Sequence, residues 1–145
     1  MAFKRYADAQ WNGDLQSGKG SMSTPQSGLF AGQNYSFKTR FGDEKGTNPE
    51  ELLAAAHAGC FSMALSAVLG KSGYVPDSIE TRAEATMDPG MDPGPTITDV
   101  TLVVKAKVPG IDAAQFQQIA EAAKAGCVIS RALSVPVNLQ ATLEG

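Results

Sequence analysis

A long apolar segment in the middle of the chain constrains the fold more than any other feature. The run from Leu52 to Leu69 is apolar almost throughout, with polar or reactive breaks only at His57, Cys60, Ser62 and Ser66. Asn48 and Pro49 precede it and predict a helix start, because Asn is a good N-cap and Pro suits the first helical position. A helix that is apolar on every side must be covered on every side. We therefore expect it to be the central, buried element.

The segments that flank this helix show the apolar alternation of β-strands. Strands are predicted at 6–11, 20–24 and 34–41 before the helix, and at 79–87, 100–108 and 135–143 after it. In the third strand the aromatic residues share one face, so Arg40 falls on the opposite face, where a solvated arginine is expected. A second helix is predicted to start at Asp112, to carry one apolar stripe and to stop at Gly126.

This order of elements predicts an α+β fold. We expect an antiparallel or mixed sheet packed on the long central buried helix and on the second helix. The sequence shows no internal repeat and no linker, and 145 residues suit one domain, which we expect to span residues 1–145.

The charge balance and the N-terminus argue against several classes of partner. The net charge is −3 and no run of Lys and Arg offers a track for phosphates, so no nucleic-acid partner is expected. Residues 1–11 lack the apolar stretch of a signal peptide, and we count no window that approaches the about 20 apolar residues of a membrane span. We therefore expect a cytoplasmic protein without a membrane partner. A charged fraction of only 19% suggests an oligomer interface.

Two cysteines and one histidine make up the reactive inventory. A secreted disulfide scaffold of this size would carry more cysteines, so Cys60 and Cys127 are either inert buried thiols or a redox couple. A cysteine inside a helix lacks the free N–H groups that stabilise a thiolate at a helix start. A reactive Cys60 therefore needs a nearby cation, and His57 and Arg40 are the candidates.

Three kinds of chemistry can be weighed against this inventory. A cysteine hydrolase built on Cys60 and His57 would need an oxyanion hole, but a helix interior has already used its N–H groups. A zinc site on His57 and the two cysteines would need carboxylates to complete it, so no metal and no organic cofactor is expected. Peroxide reduction needs only two thiols, a cation and a route for a proton. The two cysteines and a candidate cation, Arg40 or His57, meet these needs.

Three segments resemble a known family. The stretch 39–65 (TRFGDEKGTNPEELLAAAHAGCFSMAL) is similar to the signature of the OsmC (osmotically inducible) proteins, and KAGC at 124–127 is similar to their second cysteine motif. The likeness extends over nearly the whole chain and includes VPGID at 108–112. His57 favours the OsmC branch over its close relatives, the organic hydroperoxide resistance (Ohr) proteins.

The resemblance implies a fold, an activity and a set of site residues. It implies an OsmC-like fold in an intertwined homodimer with its active sites at the subunit interface. It implies a thiol peroxidase of stress defence that prefers organic hydroperoxides and uses a dithiol reductant, lipoyl-type in the sister branch. Cys60 matches the peroxidatic cysteine and Cys127 the resolving cysteine. Arg40 matches the arginine that holds the thiolate, and Glu50 matches the glutamate paired with that arginine.

One departure from the family pattern and one competing hypothesis remain. Many members carry proline after the second cysteine, whereas this chain has Val128, which leaves the backbone there less constrained. The competing hypothesis is a dimeric binding module that holds an apolar ligand while its cysteines play no part in catalysis. We expect His57 to be mainly structural.

Overall fold

The N-terminal part of the chain forms a small antiparallel sheet. The computed structural model describes residues 1–145, which divide into two units, residues 1–52 and 53–145. The first unit contains β1 (Asp8–Asn12), β2 (Lys19–Ser23) and β3 (Gln33–Tyr35), paired in that order. The first two strands confirm the predictions to within a few residues. Gly20 is required in β2 because a Cβ there would lie 2.5 Å from the Trp11 ring.

The predicted strand at 34–41 is wrong beyond Tyr35. The chain turns at Ser36 into a short helix, α1 (Phe37–Phe41). The cause is a capping box: the Ser36 hydroxyl accepts from the Thr39 N–H at 3.2 Å, and the Thr39 hydroxyl accepts from the Ser36 N–H at 2.9 Å. Residues four apart share a face in both a strand and a helix, so the spacing of Phe37 and Phe41 could not distinguish the two. Their ring centroids lie 5.0 Å apart.

The long helix α2 (Pro49–Lys71) begins where the sequence predicts. The side chain of Asn48 accepts from the Glu51 N–H at 2.8 Å, which is the expected N-cap bond. The chain leaves the helix at Gly73, whose φ of 87° lies in the left-handed region that glycine adopts without strain. The start signal at Asn48 and Pro49 was therefore sufficient to place the beginning of this element.

The burial predicted for α2 is met on only one side of the helix. Its buried residues fall at every fourth position: His57, Phe61, Leu65 and Leu69. The opposite side is exposed in the single chain and consists mostly of small residues, among them Ala55, Ala56, Gly59, Ala67 and Gly70, with Met63 at 77% exposure. The expectation of a helix covered on every side is therefore wrong for the single chain.

The expectation that no segment approaches a membrane span is also corrected. By length and composition α2 could cross a membrane, with a mean hydropathy of 1.8 over an 18-residue window. The alanines and the larger apolar residues keep the average high even though glycines and serines interrupt the run. A core helix meets the same criterion, and the buried stripe of α2 belongs to the hydrophobic core of the second unit.

The second unit contains a mixed three-stranded sheet, as the α+β prediction allows. Its elements are β4 (Ser78–Asp88), β5 (Thr96–Lys107), α3 (Ala113–Gly126), α4 (Val128–Ala132) and β6 (Val137–Leu143). Strand β5 pairs antiparallel with β4 and parallel with β6. A parallel pair needs a long connection, and α3 and α4 supply it. The α+β class is confirmed.

The core of the second unit joins its sheet and its helices. One hydrophobic cluster combines side chains of α2 (Phe61, Leu65, Leu69), β5 (Leu102, Val104, Ala106) and α3 (Phe116, Ile119, Ala120, Ala123), together with Val108 and Cys127. The single apolar stripe predicted for α3 is thus confirmed. Cys127 follows directly after α3 and is held at the edge of this cluster.

We predict that the cap of α3 stabilises the fold measurably. Asp112 accepts from the Gln115 N–H at 2.8 Å, so Asp112→Ala should lower the free energy of unfolding by about 0.5–2 kcal/mol. Asp112→Asn keeps an acceptor and serves as the matched control. Urea unfolding followed by circular dichroism measures both. Equal stability of the alanine and asparagine variants would contradict this role.

Candidate active site

The two cysteines meet, although 67 residues separate them in the chain. Cys60 Sγ and Cys127 Sγ lie 3.4 Å apart, within hydrogen-bonding distance for sulfur. Both are free thiols; Cys127 is fully buried and Cys60 is partly exposed. A disulfide could therefore form through a small movement of the two side chains.

Helix α3 fixes the position of Cys127. Its stripe, which includes Phe116 and Ala120, packs in the core, and the helix ends at Gly126. Cys127 then adopts an extended backbone, φ −61° and ψ 128°, and is the N-cap residue of α4. The residue that ends one helix therefore begins the next, and this turns its side chain toward α2.

The surroundings of Cys127 favour its thiolate. Burial opposes ionisation, but the N–H and hydroxyl of Ser130, the thiol of Cys60 and the N–H of Ile129 outweigh it, so the pKa of Cys127 is lowered from its ordinary value. Ser130 and Ile129 lie in the first turn of α4, where N–H groups have no partner within the helix. In this conformation neither Ser130 nor Ile129 forms a capping hydrogen bond with Cys127 Sγ.

Arg40 and Glu50 form a second pair, which lies in the first unit. Arg40 Nη2 is 2.7 Å from Glu50 Oε1, and Arg40 Nε lies 3.1 and 3.2 Å from the two carboxylate oxygens. This two-point contact fixes the orientation of the guanidinium plane. The Arg40 side chain is 37% exposed and that of Glu50 14%. Arg40 is thus exposed to solvent, as the sequence pattern predicts, and Glu50 in addition holds its side chain in place.

The position of Arg40 relative to the aromatic residues is corrected. Arg40 lies on a helix and not on the far face of a strand, and its guanidinium carbon is 5.1 Å from the Phe41 ring centroid. It lines a cavity of about 290 Å³ together with Trp11, Leu15, Tyr35, Ser36, Phe37 and Phe41. This mostly apolar cavity was not expected because the segment was predicted to be a strand. The capping residues Ser36 and Thr39 are the sequence signal that indicates the helix.

His57 contacts a residue that the sequence did not indicate. Its Nε2 lies 2.7 Å from Ser130 Oγ, and its side chain is fully buried. Burial lowers the pKa of His57, since desolvation disfavours the imidazolium. No cluster of three or more His, Cys, Asp or Glu side chains is arranged to hold a metal ion. The structure thus joins Cys60 with Cys127, Arg40 with Glu50, and His57 with Ser130.

Known proteins are similar to this chain over most or all of its length. The OsmC-like protein family model matches residues 42–141. The chain is 48% identical over 144 residues to peroxiredoxin OsmC of Escherichia coli (strain K12), covering 99% of both proteins. It is 32% identical over 100 residues to an organic hydroperoxide resistance protein of Xanthomonas axonopodis pv. citri, covering 68% of this chain and 67% of that protein.

Solved structures share the fold. The organic hydroperoxide resistance protein OhrB of Bacillus subtilis superposes with a TM-score of 0.66 at 27% identity, covering 96% of this chain and 98% of that one. The fold places the chain in the class that includes the OsmC and Ohr proteins. Within that class, the chain belongs to the OsmC-like protein family.

We predict that Cys127 ionises more readily in the folded protein than in the unfolded chain. In Cys60→Ser, where Cys127 is the sole thiol, the ultraviolet absorbance of the thiolate should rise at a lower pH in the folded protein than in the same variant in denaturant. The folded pKa is the depressed one, so this stabilisation is fully present above the unfolded pKa. It is lost as the pH falls through the folded pKa. Coincident titration curves would contradict the assignment.

Proposed function

We propose that this protein is a thiol peroxidase of oxidative and osmotic stress defence that reduces organic hydroperoxides to alcohols. The observation that carries the proposal is the 3.4 Å approach of Cys60 Sγ to Cys127 Sγ. Two buried structural thiols have no need to meet across 67 residues, whereas a sulfenic acid needs a second thiol within reach. The peroxiredoxin name of the Escherichia coli relative supports the same assignment.

The reaction requires only groups that the chain supplies, together with a reductant. The Cys60 thiolate attacks one peroxide oxygen, the O–O bond breaks, and the alkoxide leaves and takes up a proton to become the alcohol. Cys60 is then a sulfenic acid, and Cys127 attacks its sulfur and expels hydroxide, which becomes water. A dithiol reductant, such as a lipoyl group, attacks the resulting Cys60–Cys127 disulfide and restores both thiols. No step requires a metal or an organic cofactor.

We assign Arg40 and Glu50 to the first step. The guanidinium of Arg40 would stabilise the Cys60 thiolate and the developing alkoxide, and the two-point contact from Glu50 would hold its plane in place. The apolar cavity beside Arg40 suits an alkyl or aryl group, which gains about 25 cal/mol for each Å² removed from water. Hydrogen peroxide has no such surface. The names of the Xanthomonas and Bacillus relatives point to organic hydroperoxides as well.

The active sites would lie between the two subunits of a homodimer. Glu50 and Cys60 lie ten residues apart on the uninterrupted helix α2, which separates their backbones by about 15 Å along the axis at about 1.5 Å per residue. Helical side chains lean toward the N-terminus, so Glu50 points away from the Cys60 of its own chain. A partner related by a two-fold axis would bring its Arg40–Glu50 pair to this thiol.

The exposed side of α2 supports such a dimer. Its alanines and glycines permit a close approach of two helices, and Met63 would leave water at the contact. Covering this side would complete the burial that a helix apolar on every side demands. We place the dimer in the cytoplasm, where reduced thiols persist.

We predict distinct roles for the two cysteines. With cumene hydroperoxide and a dithiol, Cys60→Ser should show no turnover, whereas Cys127→Ser should consume about one equivalent and then stop, because its sulfenic acid has no partner. Wild type should lose both thiols per chain and prefer cumene hydroperoxide to hydrogen peroxide in kcat/KM. Thiol titration and mass spectrometry measure these outcomes. Intact thiols in wild type would support the competing binding module.

We predict that inactive chains complement each other across the dimer. When Cys60→Ser is mixed with Glu50→Ala, each heterodimer should regain one active site, built from the intact Cys60 of one chain and the intact Glu50 of the other. Steady-state peroxide consumption after subunit exchange measures the recovery.

A second mixture is the matched control. Cys60→Ser mixed with Cys127→Ser should recover no turnover, because these two thiols meet within one chain. Recovery in the control mixture alone would mean that the two thiols of one active site come from different chains, whereas Glu50 and Cys60 come from the same chain. Failure of the first mixture despite confirmed exchange would rule out the shared site.

A further inference from the structure

His57 is a buried ionisable residue that the proposed reaction does not use. It is the only histidine in the chain, and its side chain is fully buried. Its Nε2 contacts Ser130 Oγ at 2.7 Å, while its Nδ1 is buried without any hydrogen-bond partner. Leaving a buried polar atom unpaired costs free energy, so an apolar residue would suit this position better if packing were its only task.

The unpaired Nδ1 decides which nitrogen carries the proton. A buried N–H without an acceptor is rare in proteins, whereas an unpaired acceptor is tolerated more readily. We therefore assign the proton to Nε2, which donates to Ser130 Oγ. The hydroxyl hydrogen of Ser130 cannot then point at His57 and is available to another acceptor.

Cys127 is the acceptor that this arrangement favours. Cys127 is the N-cap residue of α4 and Ser130 is the third residue of that helix, which is the position whose backbone faces an N-cap side chain. The N–H and the hydroxyl of Ser130 both favour the Cys127 thiolate. Cys127 Sγ in turn contacts Cys60 Sγ. Contacts thus join His57 to Ser130 and Cys127 to Cys60, and Ser130 lies in the first turn of the helix that Cys127 begins.

We propose that His57 and Ser130 are positioning residues for the second half of the reaction: the Nε2–H of His57 orients the Ser130 hydroxyl so that it donates to Cys127 Sγ and stabilises the attacking thiolate. The inference rests on the proposed peroxidase function. In this step the Cys127 thiolate attacks the sulfur of the Cys60 sulfenic acid, an S–S bond forms and the S–O bond breaks. The departing hydroxide takes up the proton that Cys127 released.

His57 serves as a donor in this step and does not store the proton. Its side chain is fully buried, and no acceptor lies beside Nδ1, the atom that would carry the second N–H of an imidazolium. His57 and Ser130 therefore act only on the orientation and charge of the Cys127 thiolate. It should leave the attack of Cys60 on the peroxide unaffected.

Single-turnover kinetics separate the two half-reactions. After rapid mixing with cumene hydroperoxide, Ser130→Ala should form the Cys60 sulfenic acid at the wild-type rate but the disulfide about tenfold or more slowly, as expected for one lost hydrogen bond to a charged group. Trapping with dimedone should capture more sulfenic acid in this variant. Ser130→Thr keeps the hydroxyl and should restore the disulfide rate. His57→Leu should slow the same step, and His57→Gln, which keeps a donor, should slow it less.

A matched serine controls for a general loss of structure. Ser62 lies on α2, two residues after Cys60, and its hydroxyl donates to the carbonyl of Ala58 and to the Thr81 hydroxyl, so Ser62→Ala should leave the disulfide rate unchanged. Equal slowing of both half-reactions in Ser130→Ala, or no rescue by threonine, would overturn the inference. Since His57→Leu could fail to fold, the serine variants alone decide the outcome.

A titration without peroxide distinguishes failure of this inference from failure of the proposed function. In a Cys60→Ser background, adding Ser130→Ala should move the ultraviolet titration of the Cys127 thiolate to higher pH. The cations nearest in sequence, Lys124 and Arg131, are present in both proteins, and Lys124 is paired with Glu121 at 3.3 Å. An unchanged titration would overturn the inference even if peroxide is reduced. A shift in a protein that reduces no peroxide would refute the proposed function and leave only the stabilisation of the Cys127 thiolate by Ser130.

Discussion

The packing of one stripe of α2 into the core of the second unit is the constraint on which the candidate site depends. Phe61, Leu65 and Leu69 are fully buried in one cluster with β5 and α3. Since every fourth residue of the helix is locked in this way, the rotation of α2 about its axis is fixed, and with it the direction of Cys60. The same cluster holds the end of α3, where Cys127 begins α4. The short S–S distance is thus a consequence of hydrophobic packing and needs no covalent bond to maintain it.

The two thiols have different surroundings, and this difference suits different tasks. Cys60 lies inside a helix whose N–H groups are already bonded, so any charge that stabilises it must come from a side chain. Cys127 lies at a helix start beside free N–H groups and a hydroxyl that already favour its thiolate. Cys60 therefore needs a cation from another side chain, for which we propose Arg40, whereas the groups that favour the Cys127 thiolate lie in the helical turn that follows it.

Arg40 illustrates why a charged pair on the surface should not be interpreted as a source of stability. Exposed ion pairs contribute about 0–1 kcal/mol, and Arg40 is 37% exposed in the single chain. Its two-point contact with Glu50 instead fixes the orientation of a cation at the edge of an apolar cavity. In the dimer that we propose, the same pair would meet the thiol of the neighbouring chain, and the small residues on the open side of α2 would allow the close approach.

The sequence by itself determined the elements whose signals are local. The cap at Asn48 and Pro49, the cap at Asp112 and the stripe of α3 were all predictable, because each depends on residues within one or two helical turns. The motifs around Cys60 and Cys127 also identified the family. The resemblance also implied that Cys60 works with Cys127 and that Arg40 pairs with Glu50. Only the tertiary structure decided how closely these groups approach, that Arg40 lies on a helix, and that His57 contacts Ser130. These contacts span 10 to 73 residues. Distances of that kind depend on how whole elements pack, which no local pattern encodes.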